Sequence, residues 1–275
     1  MVQSASALAV RETVACCAPE VAAADLLELF GLVGDGRPGQ GRDHPVAAVL
    51  ALAAAAVVAG MRGYTAIAGW VGDVPPLVLA ELYMRAGAAP ARPPSKSTIW
   101  RVVTDADAEV FDAMVGRWLT CRQAAGQGED PAGVGTAGLV PVRLDGKTVR
   151  GAKDGEGNQR HLLAALAGHC PVVAAQAEVG AKTNEVPMAT EVLGQVDLAG
   201  KVITADALHT VKATAKFIHE AGGEFVLPVK ENRQALFDAL DALPWDQVPV
   251  AHTQTDKGHG RVTTRTIQVM PASLD

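Results

Sequence analysis

From residue 20 the apolar positions recur every three or four residues, and EVAAADLLELFGLV (20–33) predicts a helix that stops at Gly34. The following DGRPGQGRDHP is rich in turn residues and predicts an irregular loop. A second helix begins at Pro45, which the first turn tolerates, and VAAVLALAAAAVVAGM (46–61) has no polar side at all. A helix apolar all round is one enclosed by other helices. Its apolar run is shorter than the ~18 to 20 residues of a membrane span, and alanine supplies much of it, so burial in a protein core is expected. TAIAGWV and LVLAELYMRAG continue the helical period on either side of the breaker DVPP. In PPSKSTIWRVVTDADAEVFDAMVGRWL a proline pair and three N-cap candidates, Ser95, Ser97 and Thr98, precede another helix. With Lys96 and Arg101, this helix and the one before it form either a helix-turn-helix entering a major groove or packed helices with two solvated cations.

Between Cys121 and Val140 the stretch RQAAGQGEDPAGVGTAGL is dense in Gly and Ala, lacks a period, and predicts a linker. Beyond it the pattern changes. PVRLDG, HLLAALAG and PVVAAQAEV read as strands, NEVPMATEVLGQV as a helix, and KVITADA as a strand, the start of an α/β arrangement. A helix over ALHTVKATAKFIHEAGG ends at its glycine pair, followed by a strand FVLPVK, a helix over 231–243 and an alternating strand RVTTRTIQVM.

Composition bounds the functions open to this pattern. At 275 residues and 49% apolar the chain can bury one large core or two ordinary ones. A formal net charge of −6 argues against a uniformly basic surface that wraps nucleic acid, but leaves room for a local groove. Lys and Arg number 10 against 14 acids over residues 1–141, and 11 against 11 over 142–233, so the acid excess lies outside the middle block. Cys16, Cys17, Cys121 and Cys170 show no CxxC spacing and no nearby His at ligand spacing, which predicts reduced structural thiols. No charged segment followed by an apolar run marks export, so a cytoplasmic protein is expected.

Two aspartates end strand-like runs. Asp145 in LDGKTVRG is followed by glycine and by Lys147, Arg150 and Lys153, and Asp206 in ITADALHT comes 61 residues later. At the carboxyl ends of neighbouring strands such side chains converge on the ligand crevice of an open sheet, where two carboxylates suit magnesium. Each alone is equally a strand end or helix cap, a position Asp favours.

The ordered segments RDHPVAAVLALAAAAVVAGMRGYTAIAGW, PSKSTIWRV, RLDGKTVRGAKD, HLLAAL, KTNEVP, VITADALHT, FVLPVKEN and GHGRVTTRTIQV, spread over residues 42–269, resemble the H-repeat-associated group of insertion-sequence transposases. The resemblance implies an α/β fold class: a helical N-terminal domain over 1–120 with DNA binding as a candidate role, a linker over 121–140, and an RNase H-like mixed-sheet DDE domain over 141–275. From about residue 231 a strand-rich insertion is expected to interrupt that domain, counted from the end of FVLPVK.

Asp145 matches the family's first acid and Asp206 its second. The third is a glutamate on a helix after the insertion, and GHGRVTTRTIQVM matches the middle of that insertion, so the expectation is a chain that stops short of this acid and is catalytically incomplete. Glu224 and Glu231 precede the insertion and match neither its position nor its motif. Two positions depart from the pattern: Val211 where a glutamine is expected, and Glu231 where a glycine is expected. An acid beside a DNA-facing loop weakens phosphate contact.

The implied chemistry is cleavage of DNA phosphodiesters and strand transfer at element ends, with Mg2+ or Mn2+ held by Asp145 and Asp206. Lys147, Arg150, Lys153, Lys182 and Lys230 are candidates to neutralise phosphates, Asn184 to hydrogen-bond backbone or base, and His209 to orient a phosphate; each is equally a solvated surface residue. The expected partner is double-stranded DNA, as terminal repeats and as target, with a homodimer as the candidate assembly and no membrane. Two other readings stand beside this one. One is a non-catalytic DNA-binding product that modulates an intact transposase; the other is a cellular RNase H-like nuclease, which fits the two aspartates but leaves the N-terminal segments without a role.

Overall fold

The computed structural model describes residues 25–39, 42–89, 92–126, 138–153, 155–180, 185–258 and 260–272. Helix α1 (Leu26–Phe30) begins where the Asp25 carboxylate accepts the Glu28 N–H at 3.1 Å. It is followed by α2 (Val46–Val58), α3 (Tyr64–Gly72), α4 (Pro76–Arg85), α5 (Lys96–Asp105) and α6 (Ala108–Gly126). The enclosed α2 is central: Ala48, Val49 and Ala56 are fully buried and pack with Phe30, Val71, Tyr83, Ile99 and Met114 in one core. Phe30 stacks on Phe111 at 5.3 Å between centroids. Several polar groups trapped in this core are partnered, although Trp118 Nε1 at its edge is buried with no hydrogen-bond partner among the described residues. Arg37 forks onto Asp35 at 2.9 and 2.8 Å and reaches the His44 carbonyl at 2.8 Å, while His44 Nδ1 meets the Tyr83 hydroxyl. Burial pushes the Tyr83 hydroxyl up to about 12 and the His44 imidazole below its ordinary value. No helix among the described residues is long and apolar enough to cross a membrane.

Ser95 caps α5, accepting the Thr98 N–H at 3.2 Å. The connection from α4 to α5 occupies residues 86–95, longer than the turn of about 3 to 4 residues that defines a helix-turn-helix. The expected linker also begins later than its composition suggests. Helix α6 runs on through buried Cys121 to Gly126, because its inner side lies against the sheet that follows.

That sheet is built from β1 (Val140–Lys153), β2 (Gln159–Ala167), β3 (Val172–Val179), β4 (Lys201–Thr204) and β5 (Glu224–Val226), in the order β3-β2-β1-β4-β5. β1 with β2 and β2 with β3 are antiparallel, while β4 runs parallel to β1 and β5 to β4, so the sheet is mixed. Val142, Leu144, Leu163, Ala165, Ala175 and Ile203 face one core, closed by Ala189, Val192 and Leu193 of α7 (Glu185–Leu193) and Ile218 of α8 (Lys212–Glu220). Helix α6 crosses β3 from the side that carries Gln176, whose amide donates to Asp112 at 3.0 Å. The ladder skips Ala174, pairing Ala165 with Ala175 and Leu166 with Val173, and the bulged Ala174 carbonyl turns against Gly116 of α6.

Burial raises the Asp112 carboxyl above its ordinary value of 3.8, with the Gln176 bond opposing. A raised folded value means that this group contributes its stability below the unfolded value, and loses it as pH rises through the folded one. Asp112→Asn keeps the acceptor for Gln176 and removes the titration. The variant is therefore expected to melt higher than the parent at pH 7, with the difference shrinking toward pH 4; an equal offset at both pH values would refute the assignment.

Three segments differ from their sequence expectations for physical reasons. The helix expected over 207–221 is split into a 3-10 turn (Ala207–His209) and α8, because Val211 is extended. The strand expected over FVLPVK stops at Val226, two residues before Pro228, which has no N–H for a ladder. The helix expected over 231–243 becomes a 3-10 turn (Glu231–Arg233) and α9 (Gln234–Asp241), and none of its residues is buried. Beyond it β6 (Val250–Gly258) and β7 (Arg261–Gln268) pair as a separate antiparallel ribbon, exposed along almost its whole length. Gln268 ties the base of the ribbon by donating to the carbonyls of Trp245 and Val248 at 2.8 and 2.6 Å.

Candidate active site

Strands β1 and β4 run parallel with a constant offset: Val140 pairs with Lys201 and Arg143 with Thr204, each 61 residues apart. Asp145 and Asp206 are separated by the same 61 residues and lie two positions past the last pair of that ladder. Continued by two residues, that register gives Asp145 and Asp206 matching positions on neighbouring segments. Alternation away from buried Val142, Leu144 and Ile203 turns them from the core toward solvent. Asp145 is 48% exposed and Asp206 75%.

Each carboxylate has a lysine beside it. Lys147 Nζ lies 2.6 Å from Asp145 Oδ2, and Lys230 Nζ 3.6 Å from Asp206 Oδ1. Both pairs are solvent-facing, worth about 0.2–1 kcal/mol each, so neither holds its aspartate firmly. Asp206 also caps the 3-10 turn, its Oδ1 accepting the Ala207 N–H at 2.6 Å. That turn is fastened to the loop after β5: Asn232 donates to the Ala207 carbonyl at 3.1 Å, Thr210 to the Pro228 carbonyl at 2.7 Å, and Arg233 to the Thr210 carbonyl at 3.0 Å. A hollow beside Asp206 is lined by Leu208, Lys230, Glu231, Asn232 and Phe237. Glu231 thus stands at its rim, whereas Glu224 pairs with Val202 at the far end of β4.

Of the other candidate DNA-contacting residues, Arg150 and Lys153 are exposed farther along β1. Lys182 and Asn184 lie outside the described residues. His209 requires a correction. It is only 1% exposed, and its Nε2 lies 3.4 Å from Glu185 Oε2, so it faces the interior instead of an approaching phosphate.

The interior contact introduces two residues that the sequence reading passed over. Glu185, the first residue of α7, accepts from His161 Nε2 at 2.6 Å, and His161 Nδ1 lies 3.1 Å from the Thr148 hydroxyl of β1. Gly146, next to Asp145, lets this group come close: a Cβ there would stand 2.8 Å from His161 Nε2 and 2.9 Å from Glu185 Oε1. The available signal was the presence of His161 and Glu185 in HLLAAL and KTNEVP, two of the segments that carry the resemblance. Among the described residues no group of three or more His, Cys, Asp or Glu side chains is placed to hold an ion.

Comparison with known proteins covers nearly the whole of this arrangement. A family model described as "Transposase DDE domain" matches residues 138–270, and one described as "DDE_Tnp_1-associated" matches residues 27–119. An uncharacterized Xanthobacter autotrophicus protein from the dhlA 3' region is 32% identical over 87% of this chain and 78% of its own length. Two Escherichia coli proteins are named as putative transposases. YncI of strain O157:H7 is 27% identical over 87% of this chain and 59% of its own length; the H repeat-associated YbfD of strain K12 is 25% identical over 87% and 91%. The first family match contains both aspartates and the sheet that aligns them, the second contains the helical core, and the chain accordingly belongs to the DDE transposase family, in its H repeat-associated group.

Proposed function

We propose that this transposase-family chain acts on double-stranded DNA through a divalent-metal site formed by Asp145 and Asp206. The observation that carries this reading is the shared 61-residue offset, which gives the two aspartates matching positions past the carboxyl ends of parallel strands. The antiparallel β3, β2 and β1 followed by parallel β4 and β5 support an RNase H-like core. The donor set is all oxygen and open to solvent, which fits Mg2+ or Mn2+, hard cations that keep several waters. Such ions, when bound, stabilise the attacking and leaving oxygens of an in-line displacement at phosphorus.

The protein's own part is to hold and to attract. Asp145 and Asp206 would hold the metal; Lys147, Arg150, Lys153 and Lys230 offer cations to DNA phosphates, at element ends and at target, and Lys147 and Lys230 would be free to pair with phosphate if their aspartates held a metal. Asp145 and Asp206 have no third carboxylate grouped with them among the described residues, so metal binding would be weak, and nicking and joining would fall far below those of a site with three acids. A non-catalytic role, binding element ends in competition with an intact transposase, follows from the same residues if chemistry is absent.

Two measurements test the reading. Titration with Mn2+ is expected to give roughly tenfold or greater weakening in both Asp145→Asn and Asp206→Asn, as loss of one of two oxygen ligands requires; unchanged affinity in both would sink the metal site. With Mg2+ or Mn2+ on DNA bearing the element's ends, the chain is expected to bind with steep salt dependence but cleave poorly. Robust cleavage that disappears in Asp145→Ala would show that a third acid has been missed.

A further inference from the structure

We propose that Glu185 is the positioning residue of this site: its carboxylate bridges His161 and His209 and so fixes the chain after Asp206 against the chain after Asp145. The proposal rests on the metal reading above for its functional meaning, but its geometry stands alone.

Three elements meet at this one carboxylate. Oε1 takes the contact from His161 of β2 at 2.6 Å, and Oε2 faces His209 Nε2 at 3.4 Å. His209 ends the 3-10 turn that starts at Asp206, and its side chain is 2% exposed, with a buried Nδ1 that has no hydrogen-bond partner among the described residues. A buried imidazole with one nitrogen unpartnered depends on the other, since burying polar atoms without partners costs free energy. Its contact to Glu185 is thus the polar tether that draws the Asp206 turn inward. On the other side, His161 is held to Thr148, and His161 Nε2 and the Glu185 carboxylate lie against the bare backbone of Gly146.

Asp145 and Asp206 themselves point away from the core that holds the bridge; they are exposed, with Lys147 beside Asp145, and with Lys230 and the Ala207 N–H beside Asp206. Their backbones are what the bridge controls. Gly146 follows Asp145 directly, and His209 follows Asp206 by three residues with its N–H donating to the Asp206 carbonyl at 2.9 Å. A loose carboxylate pair on two separately moving chains binds an ion poorly; the same pair on two chains pinned to one group is preorganised. Such outer contacts commonly carry about 10- to 100-fold of metal affinity.

The test compares Glu185→Ala, Glu185→Gln and Gly146→Ala in the full chain. Hydrogen exchange is read at the amides of residues 146–148 and 207–211, with the α2 helix as an internal control, and Mn2+ affinity is read by titration. Glu185→Ala is expected to speed exchange at both segments by about tenfold while α2 is unchanged, and to weaken Mn2+ by about 10- to 100-fold. Glu185→Gln keeps an acceptor for one imidazole and offers a donor to the other, so it is expected to restore most of both. Gly146→Ala deletes no polar group, and its methyl displaces the bridge from β1, so it is expected to reproduce the alanine signature.

Parent-like exchange at both segments in Glu185→Ala overturns the proposal. So does equal loss of Mn2+ binding in Glu185→Gln and Glu185→Ala, which would make Glu185 a ligand through its charge and not a positioning group. If Asp145→Asn and Asp206→Asn leave Mn2+ affinity unchanged, the metal reading fails while the exchange comparison still decides the role of Glu185.

Discussion

Gly116→Ala is expected to undock α6 from the sheet. An added methyl would stand 2.2 Å from the Ala174 carbonyl oxygen and 2.9 Å from its carbon, and neither is the far end of a flexible side chain. Extra volume in a packed site costs about 1–3 kcal/mol when side chains can adjust, and the opposing atoms here are backbone at a β-bulge, so the loss belongs at or above that upper end. The Gln176 to Asp112 bond, on the same contact, should break with it. Chemical denaturation reads the loss as a lower midpoint. A variant within about 0.5 kcal/mol of the parent, the range of neutral surface changes, would mean that α6 can ride higher on β3 without cost.

Ile203→Ala carries the second large effect. Ile203 is fully buried in β4, a strand of only four residues that is paired on both edges, to Val142 of β1 and to Phe225 of β5. Removing its side chain leaves a cavity, for which about 2–5 kcal/mol is the usual cost of truncating a buried aliphatic residue to alanine. A short strand has few other side chains to hold its place, and Asp206 lies three residues on. Urea unfolding is expected to show a midpoint shift at unchanged slope, together with weaker Mn2+ binding. A loss below about 1 kcal/mol would indicate that the surrounding core closes over the gap.

The chain's alternation made β2 and β3 legible, and the polar-free run at 46–61 made the central helix legible, because in both the pattern is fixed by what the residues bury. Where local pattern and tertiary partner disagree, the sequence was harder to read. The polar stretch KTVRGAK continues β1 to Lys153 through backbone pairing to β2, with Gly151 at φ 84° and a register shift, and no apolar period announces it. Residues 121–126 look like linker because they are small and polar, yet they complete α6. The break at Val211 depends on how the chain after Asp206 is tied to the loop at Pro228, a contact 18 residues away that no local window contains.

For the site, the two aspartates were recognisable as strand ends, but the offset that aligns them belongs to a pairing between β1 and β4 that only the fold supplies. His209 was read as surface polar because imidazoles often are, while burial of 1% settles it as interior. Glu185 and His161 were overlooked for the opposite reason: they sit 24 residues apart beside apolar runs, and nothing in their spacing signals that one carboxylate will meet an imidazole from each side.

The ribbon of β6 and β7 shares none of its residues with either hydrophobic core. A pair of strands alone is marginal in water, and this one has its own ladder, the cross-strand Thr255–Thr264 and Arg265–Asp256 contacts, and the two bonds from Gln268 at its base. Its opening therefore need not be coupled to opening of the five-stranded sheet, which makes the ribbon a cooperative unit of its own, the least protected class in native-state exchange. The chain consequently has at least two thresholds of unfolding, and a single melting temperature describes only the upper one.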